Sequence, residues 1–311
     1  MSKPIEIAVI SGKGGTGKTV LTAALAVLLP NKVTADCDVD APDMHLLLQP
    51  KIEKEEIFSG LKLARIDPAK CTGCGKCSEV CRFGAVRAEG TDGDADYSVD
   101  PLGCGGCGVC VWMCPADAIA FEDSAGGKWF VSDTRFGKFV HAQLEPAQEN
   151  SGKLVTLVRR EARRLAEDAG NEAVIIDGPP GIGCPVIASI AGAGLAVVVT
   201  EPTLSGIHDL GRVLALTDHF GLRAGVVINK YDLNGEISVE IEDYLSRRGV
   251  VCLGKIPFGE EVKDAIAAGR SVLEHTDGPV SNAVRVIAES IINLAAETRR
   301  AQDRSKSQEQ A

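Results

Sequence analysis

The run Ser11-Gly12-Lys13-Gly14-Gly15-Thr16-Gly17-Lys18-Thr19 has the make-up of a phosphate cradle. Glycines let successive backbone N–H groups close around phosphate oxygens, and a helix that follows aims its positive N-terminal end at them. In this G-x-x-x-x-G-K-T spacing Lys18 reaches the outer phosphates and the Thr19 hydroxyl holds a magnesium ion. The competing reading is a glycine-rich turn with a chance lysine. The flanks argue against it: Ile5 to Ile10 reads as a short buried strand, and Val20 to Leu29, rich in alanine and leucine, as a helix.

A second set of residues points to metal chemistry. Cys71-x2-Cys74-x2-Cys77-x3-Cys81 and Cys104-x2-Cys107-x2-Cys110-x3-Cys114-Pro115 form an internal repeat that resembles the bacterial ferredoxin pattern. In that pattern three thiolates on one tight loop bind three corners of a cubane and the fourth comes from the other repeat. It therefore predicts one [4Fe–4S] cluster on Cys71, Cys74, Cys77 and Cys114, and another on Cys104, Cys107, Cys110 and Cys81. Paired zinc knuckles share the C-x2-C spacing but not the doubled run of four. Arg82 follows Cys81 where the pattern has proline, which leaves the ligands intact but changes the surroundings of the second cluster. Eight of the eleven cysteines fall between residues 71 and 114, a density that metal binding explains better than disulfides in a cytoplasmic chain. The acidic stretch Glu89 to Asp100 joins the repeats and reads as a solvated hairpin loop, with a docking surface for a basic redox partner as the alternative.

Lys13 narrows the first reading. K-G-G-T-G-K-T resembles the deviant Walker A motif of the MinD/ParA and nitrogenase iron-protein superfamily of ATPases, to which Mrp-type ATPases are related. The resemblance implies ATP and Mg2+ as cofactors, with Gly12, Lys13, Gly14, Gly15, Thr16, Gly17, Lys18 and Thr19 around the nucleotide. It also implies that Lys13 reaches nucleotide held by a partner subunit, so that the protein pairs on binding ATP, as a homodimer or with a paralogue. Asp36-Cys37-Asp38-Val39-Asp40-Ala41-Pro42 resembles the family's first switch, in which Asp38 is tied to hydrolysis; Asp40 and Asp43 are weaker candidates, and Cys37 reads as a packing residue. Asp177-Gly178-Pro179-Pro180-Gly181 resembles the second switch, with Asp177 as the Walker B carboxylate beside Thr19 and Asp38 at the magnesium ion. Asn229-Lys230 matches the dipeptide that contacts adenine, and Pro257 opens a segment resembling the last nucleotide-side loop. Cys184 is read as a small buried residue; the alternative is a metal or redox role against its symmetry mate, since iron proteins of this superfamily ligate a bridging cluster near their switches.

The elements that must position these groups alternate. Strands are expected at Lys32 to Ala35, Ala173 to Ile176, Leu195 to Thr200, Ala224 to Ile228 and Val250 to Ile256, separated by helices at Val155 to Asp168, Ser205 to Phe220 and Val280 to Arg299. Such alternation predicts an α/β fold, a mostly parallel sheet covered by helices on both faces, with a small α+β ferredoxin domain inserted into it. The expected boundaries are 1–60 and 132–300 for the ATPase domain, 61–131 for the insert and 301–311 for a flexible tail. The arginines of the helix at Val155, namely Arg159, Arg160, Arg163 and Arg164, read as a solvated face, with docking of a partner or of the ferredoxin module as the alternative. The five histidines show no metal-like spacing.

Composition limits the partners. A formal net charge of -10 argues against a nucleic-acid surface. The N-terminus lacks the pattern of a signal peptide, the uncharged window Gly178 to Thr200 is broken by prolines and glycines, and the final helix carries both charge signs, so a cytoplasmic protein without a membrane anchor is expected. The resemblance implies a slow ATPase regulated by partner or redox state, and the placement of the ferredoxin run between the two switches points to coupling of ATP turnover to electron transfer or to assembly of a metal centre on a partner protein. The alternative is a spatial organiser or scaffold of the MinD/ParA kind whose ferredoxin domain senses redox state or docks partners.

Overall fold

The computed structural model describes residues 3–90, 96–145 and 151–309. The centre of the acidic stretch between the cysteine runs and the end of the chain, residues 91–95 and 310–311, lie outside them, as do 146–150. In chain order the elements are β1 (Ile5–Ser11), α1 (Lys18–Leu28), β2 (Lys32–Asp36), α2 (Met44–Leu48), β3 (Lys51–Ile66), α3 (Lys76–Glu79), β4 (Val86–Glu89), β5 (Asp96–Val99), α4 (Val109–Met113), β6 (Ile119–Thr134) and β7 (Gly137–Leu144). Then follow α5 (Ser151–Asp168), β8 (Ala173–Pro180), α6 (Cys184–Ile190), β9 (Leu195–Thr200), α7 (Leu204–His219), β10 (Ala224–Asn229), α8 (Gly235–Arg248), β11 (Val251–Ile256), α9 (Glu261–Ala267), α10 (Val272–His275) and α11 (Pro279–Glu309).

The chain divides into two compact units, one of residues 1–55, 129–143 and 151–311, the other of 56–128 and 144–150. In the first, β1 and β8 lie near the centre of the strand order β11-β10-β9-β1-β8-β2-β7, to which the first-unit ends of β6 and β3 add. β1 pairs in parallel with both β8 and β9, and β2 in parallel with β8 and β7. Helices on both faces bury the central strands almost throughout, which is why these strands read as continuous apolar runs and not as alternations. Leu21 and Leu25 of α1, Ile175 of β8, and Ile287 and Ile291 of α11 meet in one core cluster.

Three features depart from the sequence reading. Glu6 is a buried carboxylate in the middle of β1, and Arg159 of α5 turns inward to pair with it instead of facing solvent. Arg163 joins the same carboxylate at 2.8 Å, and Arg159 also donates to the Ala191 carbonyl at 3.0 Å. A charge in the core needs a counter-charge and hydrogen bonds, and that need overrides the helical periodicity, although Arg159 Nε has no partner among the described residues. Arg160 and Arg164 are exposed. Cys184, read as buried, is exposed at the start of α6. The final helix does not stop near Arg299 but continues to Glu309, through residues assigned to a tail. No helix among the described residues is long and apolar enough to cross a membrane; the uncharged window from Gly178 divides into the end of β8, α6 and β9.

In the second unit β4 and β5 form an antiparallel pair, with Val86 opposite Val99. Ala64, Val86 and Ile119 pack with Cys77 and Cys110 into a small core.

Candidate functional site

The loop between β1 and α1 is built around one backbone requirement. Gly17 adopts φ +92°, open to glycine at little cost, and a Cβ there would strike the Asn229 amide. That amide is already engaged: Asn229 Nδ2 donates to the Thr16 carbonyl at 2.8 Å, and its Oδ1 accepts from the Lys230 N–H at 3.0 Å. Asn229 thus braces the glycine loop from the end of β10. Lys18 is buried at the first position of α1, close enough to Asp38 and Asp177 to act electrostatically on both. Gly14 and Gly15 are exposed on the loop, while the Thr16 hydroxyl is buried without a hydrogen-bond partner among the described residues.

Three carboxylates face this loop from the ends of β2 and β8. Asp177 accepts from the Thr19 hydroxyl at 2.7 Å and from the Thr22 hydroxyl at 2.8 Å. Thr22 lies one turn beyond Thr19 on α1, a neighbour that no motif signals. Asp36 stands opposite Asp177 in the β2–β8 register and accepts the backbone N–H groups of Asp38 at 3.0 Å and Met44 at 3.3 Å. Burial raises the pKa of both, and the charge of Asp177 adds to the rise at Asp36. Asp38 is half-buried; burial pushes it up to about 6 against the opposing pull of the Lys18 ammonium. Asp40 and Asp43 are exposed, and Cys37 is fully buried.

Lys13 lies on the outer flank of the loop. Its ammonium is 3.5 Å from Ser205 Oγ and 3.7 Å from one carboxylate oxygen of Glu201, whose other oxygen is 2.6 Å from the Lys230 ammonium. No motif points to Glu201, which in the sequence is only an acidic residue before Pro202 ahead of a helix. Next to Gly17 and Asn229 is a cavity of about 280 Å³, lined also by Pro257, Phe258, Ile266 and Val284. Its apolar walls suit a flat aromatic base.

In the second unit Cys71, Cys74, Cys77 and Cys114 line one cavity, with Ile66 and Tyr97. Cys81, Cys104, Cys107 and Cys110 line another, with Val86 and Val99. Gly75 at φ +73° and Gly108 at φ +72° begin α3 and α4 in the same left-handed conformation, so the two cysteine runs repeat in backbone as well as in spacing. Among the described residues no three His, Cys, Asp or Glu side chains converge on a point where they could grip a single ion. Zinc needs four donors about 2.3 Å from one centre, whereas a cubane spreads its four thiolates over four irons. Four thiols around an otherwise largely apolar cavity, twice over, fit the donor set of two [4Fe–4S] clusters. Cys184 belongs to neither cavity; a Cβ on Gly152, at the start of α5, would lie 3.6 Å from its carbonyl oxygen.

The CobQ/CobB/MinD/ParA nucleotide binding domain (CbiA) matches residues 7–272. The uncharacterized protein MJ0578 of Methanocaldococcus jannaschii is 33% identical over 292 residues, 92% of this chain and 96% of that protein. The iron-sulfur cluster carrier protein of Pyrococcus abyssi is 24% identical over 306 residues, 93% of this chain and 85% of that protein. Among solved structures, the septum site-determining protein MinD of Pyrococcus horikoshii, complexed with Mg-ADP, superposes with a TM-score of 0.57 at 18% identity, covering 95% of this chain and 98% of that one. At that identity the likeness is one of fold.

Proposed function

Because the chain belongs to the CobQ/CobB/MinD/ParA nucleotide-binding family, we propose that it is a nucleotide-dependent dimeric ATPase whose inserted unit holds two [4Fe–4S] clusters, and that ATP turnover is coupled to electron transfer or to metal-centre assembly on a partner protein. The observation that carries the second half is the sorting of eight cysteines into two cavities of four. Clusters held there supply one-electron transfer. The name of the Pyrococcus abyssi relative, an iron-sulfur cluster carrier, supports the same direction.

In this reading Lys18 and the loop N–H groups hold the phosphates, and Thr19 with Asp177 holds magnesium. The 2.7 Å contact between those two side chains keeps them together ahead of the ion. Asp38 orients the attacking water, and the apolar cavity beside Asn229 and Pro257 takes the base. Lys13 acts on the nucleotide of a second copy or a paralogue. Chain connectivity supports coupling. The insert leaves after α2, which follows Asp38; the chain returns to the first unit at Trp129 and, after residues 144–150, again at α5, whose Gly152 lies against Cys184 just beyond Gly181. Movement of either carboxylate segment on loss of the terminal phosphate therefore bears on an end of the insert.

The test is anaerobic purification, followed by ATPase rate and dimer fraction measured with the clusters oxidised and reduced. The proposal expects both quantities to change with redox state. Identical values would instead favour a spatial organiser whose insert only senses redox state or docks partners.

A further inference from the structure

Glu201 is the first residue past β9, and its backbone is fixed by the turn that starts α7. Thr203 caps that helix by accepting the Gly206 N–H at 2.9 Å, and the Thr200 hydroxyl donates to the Gly206 carbonyl at 3.2 Å. From this turn one carboxylate serves two ammonium groups, Lys230 at 2.6 Å and Lys13 at 3.7 Å. The glutamate side chain is 14% exposed and each lysine 34%, so the carboxylate is the anchored member and the lysines come to it. Among the described residues Lys13 also meets the Ser205 hydroxyl, at 3.5 Å. Lys230 lines the base cavity, and its backbone N–H holds Asn229, the residue that braces the glycine loop.

We propose that Glu201 is a positioning residue for Lys13: it holds the lysine along its own subunit before pairing, and Lys230 competes for the same carboxylate. This rests on the reading that Lys13 acts on a second copy's nucleotide. To do so Lys13 must leave Glu201, and the cost of leaving falls as Lys230 draws the carboxylate to itself. A base entering the cavity contacts Lys230 and Asn229 together, so the competition links occupancy of the base cavity to release of the loop lysine. Since this ion pair is partly exposed, the effect is a graded bias and not a lock.

The first measurement uses the full chain without nucleotide: acetylation of Lys13 by an amine-reactive ester, followed by peptide mass spectrometry. Glu201→Gln keeps the shape and removes the charge, and should speed labelling about two- to fivefold, the range for a partly exposed pair. Lys230→Met should slow it, because the carboxylate then serves Lys13 alone. That opposite sign cannot arise from general loosening of the fold. Unchanged labelling in both variants, or faster labelling in both, overturns the proposal. The second measurement is the dimer fraction with magnesium and a non-hydrolysable ATP analogue, by sedimentation. Glu201→Gln should pair at a protein concentration lower by a similar factor, and Lys13→Ala in the same chain should erase the gain. An unmoved midpoint, or a gain that survives Lys13→Ala, overturns the release step. Labelling that responds as expected in a wild-type protein that stays monomeric would sink the cross-subunit reading and leave the restraint standing.

Discussion

Asp36 and Asp177 stand directly opposite each other on adjacent parallel strands, one fully buried and the other 1% exposed. Burial lifts both carboxyls above their ordinary range, so the folded chain binds more protons there than the unfolded chain does. The pair therefore favours folding at low pH and costs stability as pH rises through the elevated folded values. A bound magnesium ion offsets that cost. Asp177→Asn should raise the melting temperature of the magnesium-free protein at pH 8 by about 2–4 °C, the shift that about 1 kcal/mol gives in a unit of this size. The gain should shrink toward pH 4, and the added stability that wild type draws from magnesium and nucleotide should vanish in the variant. Calorimetry across pH, with and without magnesium and ADP, checks both. A variant that melts below wild type at pH 8 would mean that the Thr19 and Thr22 bonds outweigh the repulsion.

The two loop lysines should separate by assay. Lys18 is buried at the head of α1 beside the carboxylates. Lys18→Ala should therefore weaken nucleotide binding by about ten- to a hundredfold in Kd by equilibrium titration, about the worth of one charge-assisted contact. Lys13 points away from this cluster toward Ser205 and Glu201. Lys13→Ala should keep Kd within a few fold while the rise of specific ATPase rate with protein concentration disappears. Normal concentration dependence in that variant would place Lys13 outside any shared site.

Asp38 predicts a pH profile. With its carboxyl pushed up to about 6, kcat/KM for ATP hydrolysis should fall with unit slope below that pH, because the protonated acid cannot orient water. Its neighbour Lys18 keeps the value from rising further. A profile flat down to pH 5 would remove Asp38 from the water-handling role.

Much of the candidate nucleotide site's arrangement was legible because its signals are local. Glycine spacing, a lysine and threonine at the helix start, and an aspartate after four apolar residues are written in consecutive residues, and the flanking apolar runs revealed the buried strands. What escaped depends on segments that meet only in the fold. Glu201 matters through Lys13 and Lys230, each far away in sequence, and an isolated Glu-Pro-Thr carries no trace of either. Periodicity put Arg159 at solvent because it cannot see the buried Glu6 across the helix–sheet interface. Asn229 was read for a purine edge, yet two of its hydrogen bonds go to backbone, a use that becomes visible only once Gly17 is known to leave room for it. The length of α11 was missed because its last turns lack an apolar stripe to mark them.

The Glu6–Arg159 pair gives a stability test independent of function. Glu6→Ala leaves the Arg159 guanidinium buried without its carboxylate and should cost about 3–5 kcal/mol in urea unfolding. Arg163→Ala removes only the exposed partner and should cost about 1 kcal/mol or less. Equal losses would show that the exposed Arg163, and not the buried Arg159, carries the pairing with Glu6.

The sorting of cysteines can be tested without relying on activity. Cys114 is closest in sequence to Cys110 and Cys107, yet it lines the cavity of Cys71, Cys74 and Cys77, and Cys81 lines the cavity of the later run. If each cavity holds one cluster, Cys114→Ser should perturb the same paramagnetic signal of the reduced protein as Cys77→Ser, and Cys81→Ser the same signal as Cys110→Ser. Each single variant should lose up to about half of the iron and acid-labile sulfide, because the other four ligands are untouched. Serine still offers an oxygen, so a shifted signal at full iron content would also count, provided the shifts sort into the same two pairs. Zinc instead of iron after anaerobic reconstitution, or signals that pair Cys114 with Cys110, would reject the crossed ligand sets and with them the electron-transfer half of the proposed function.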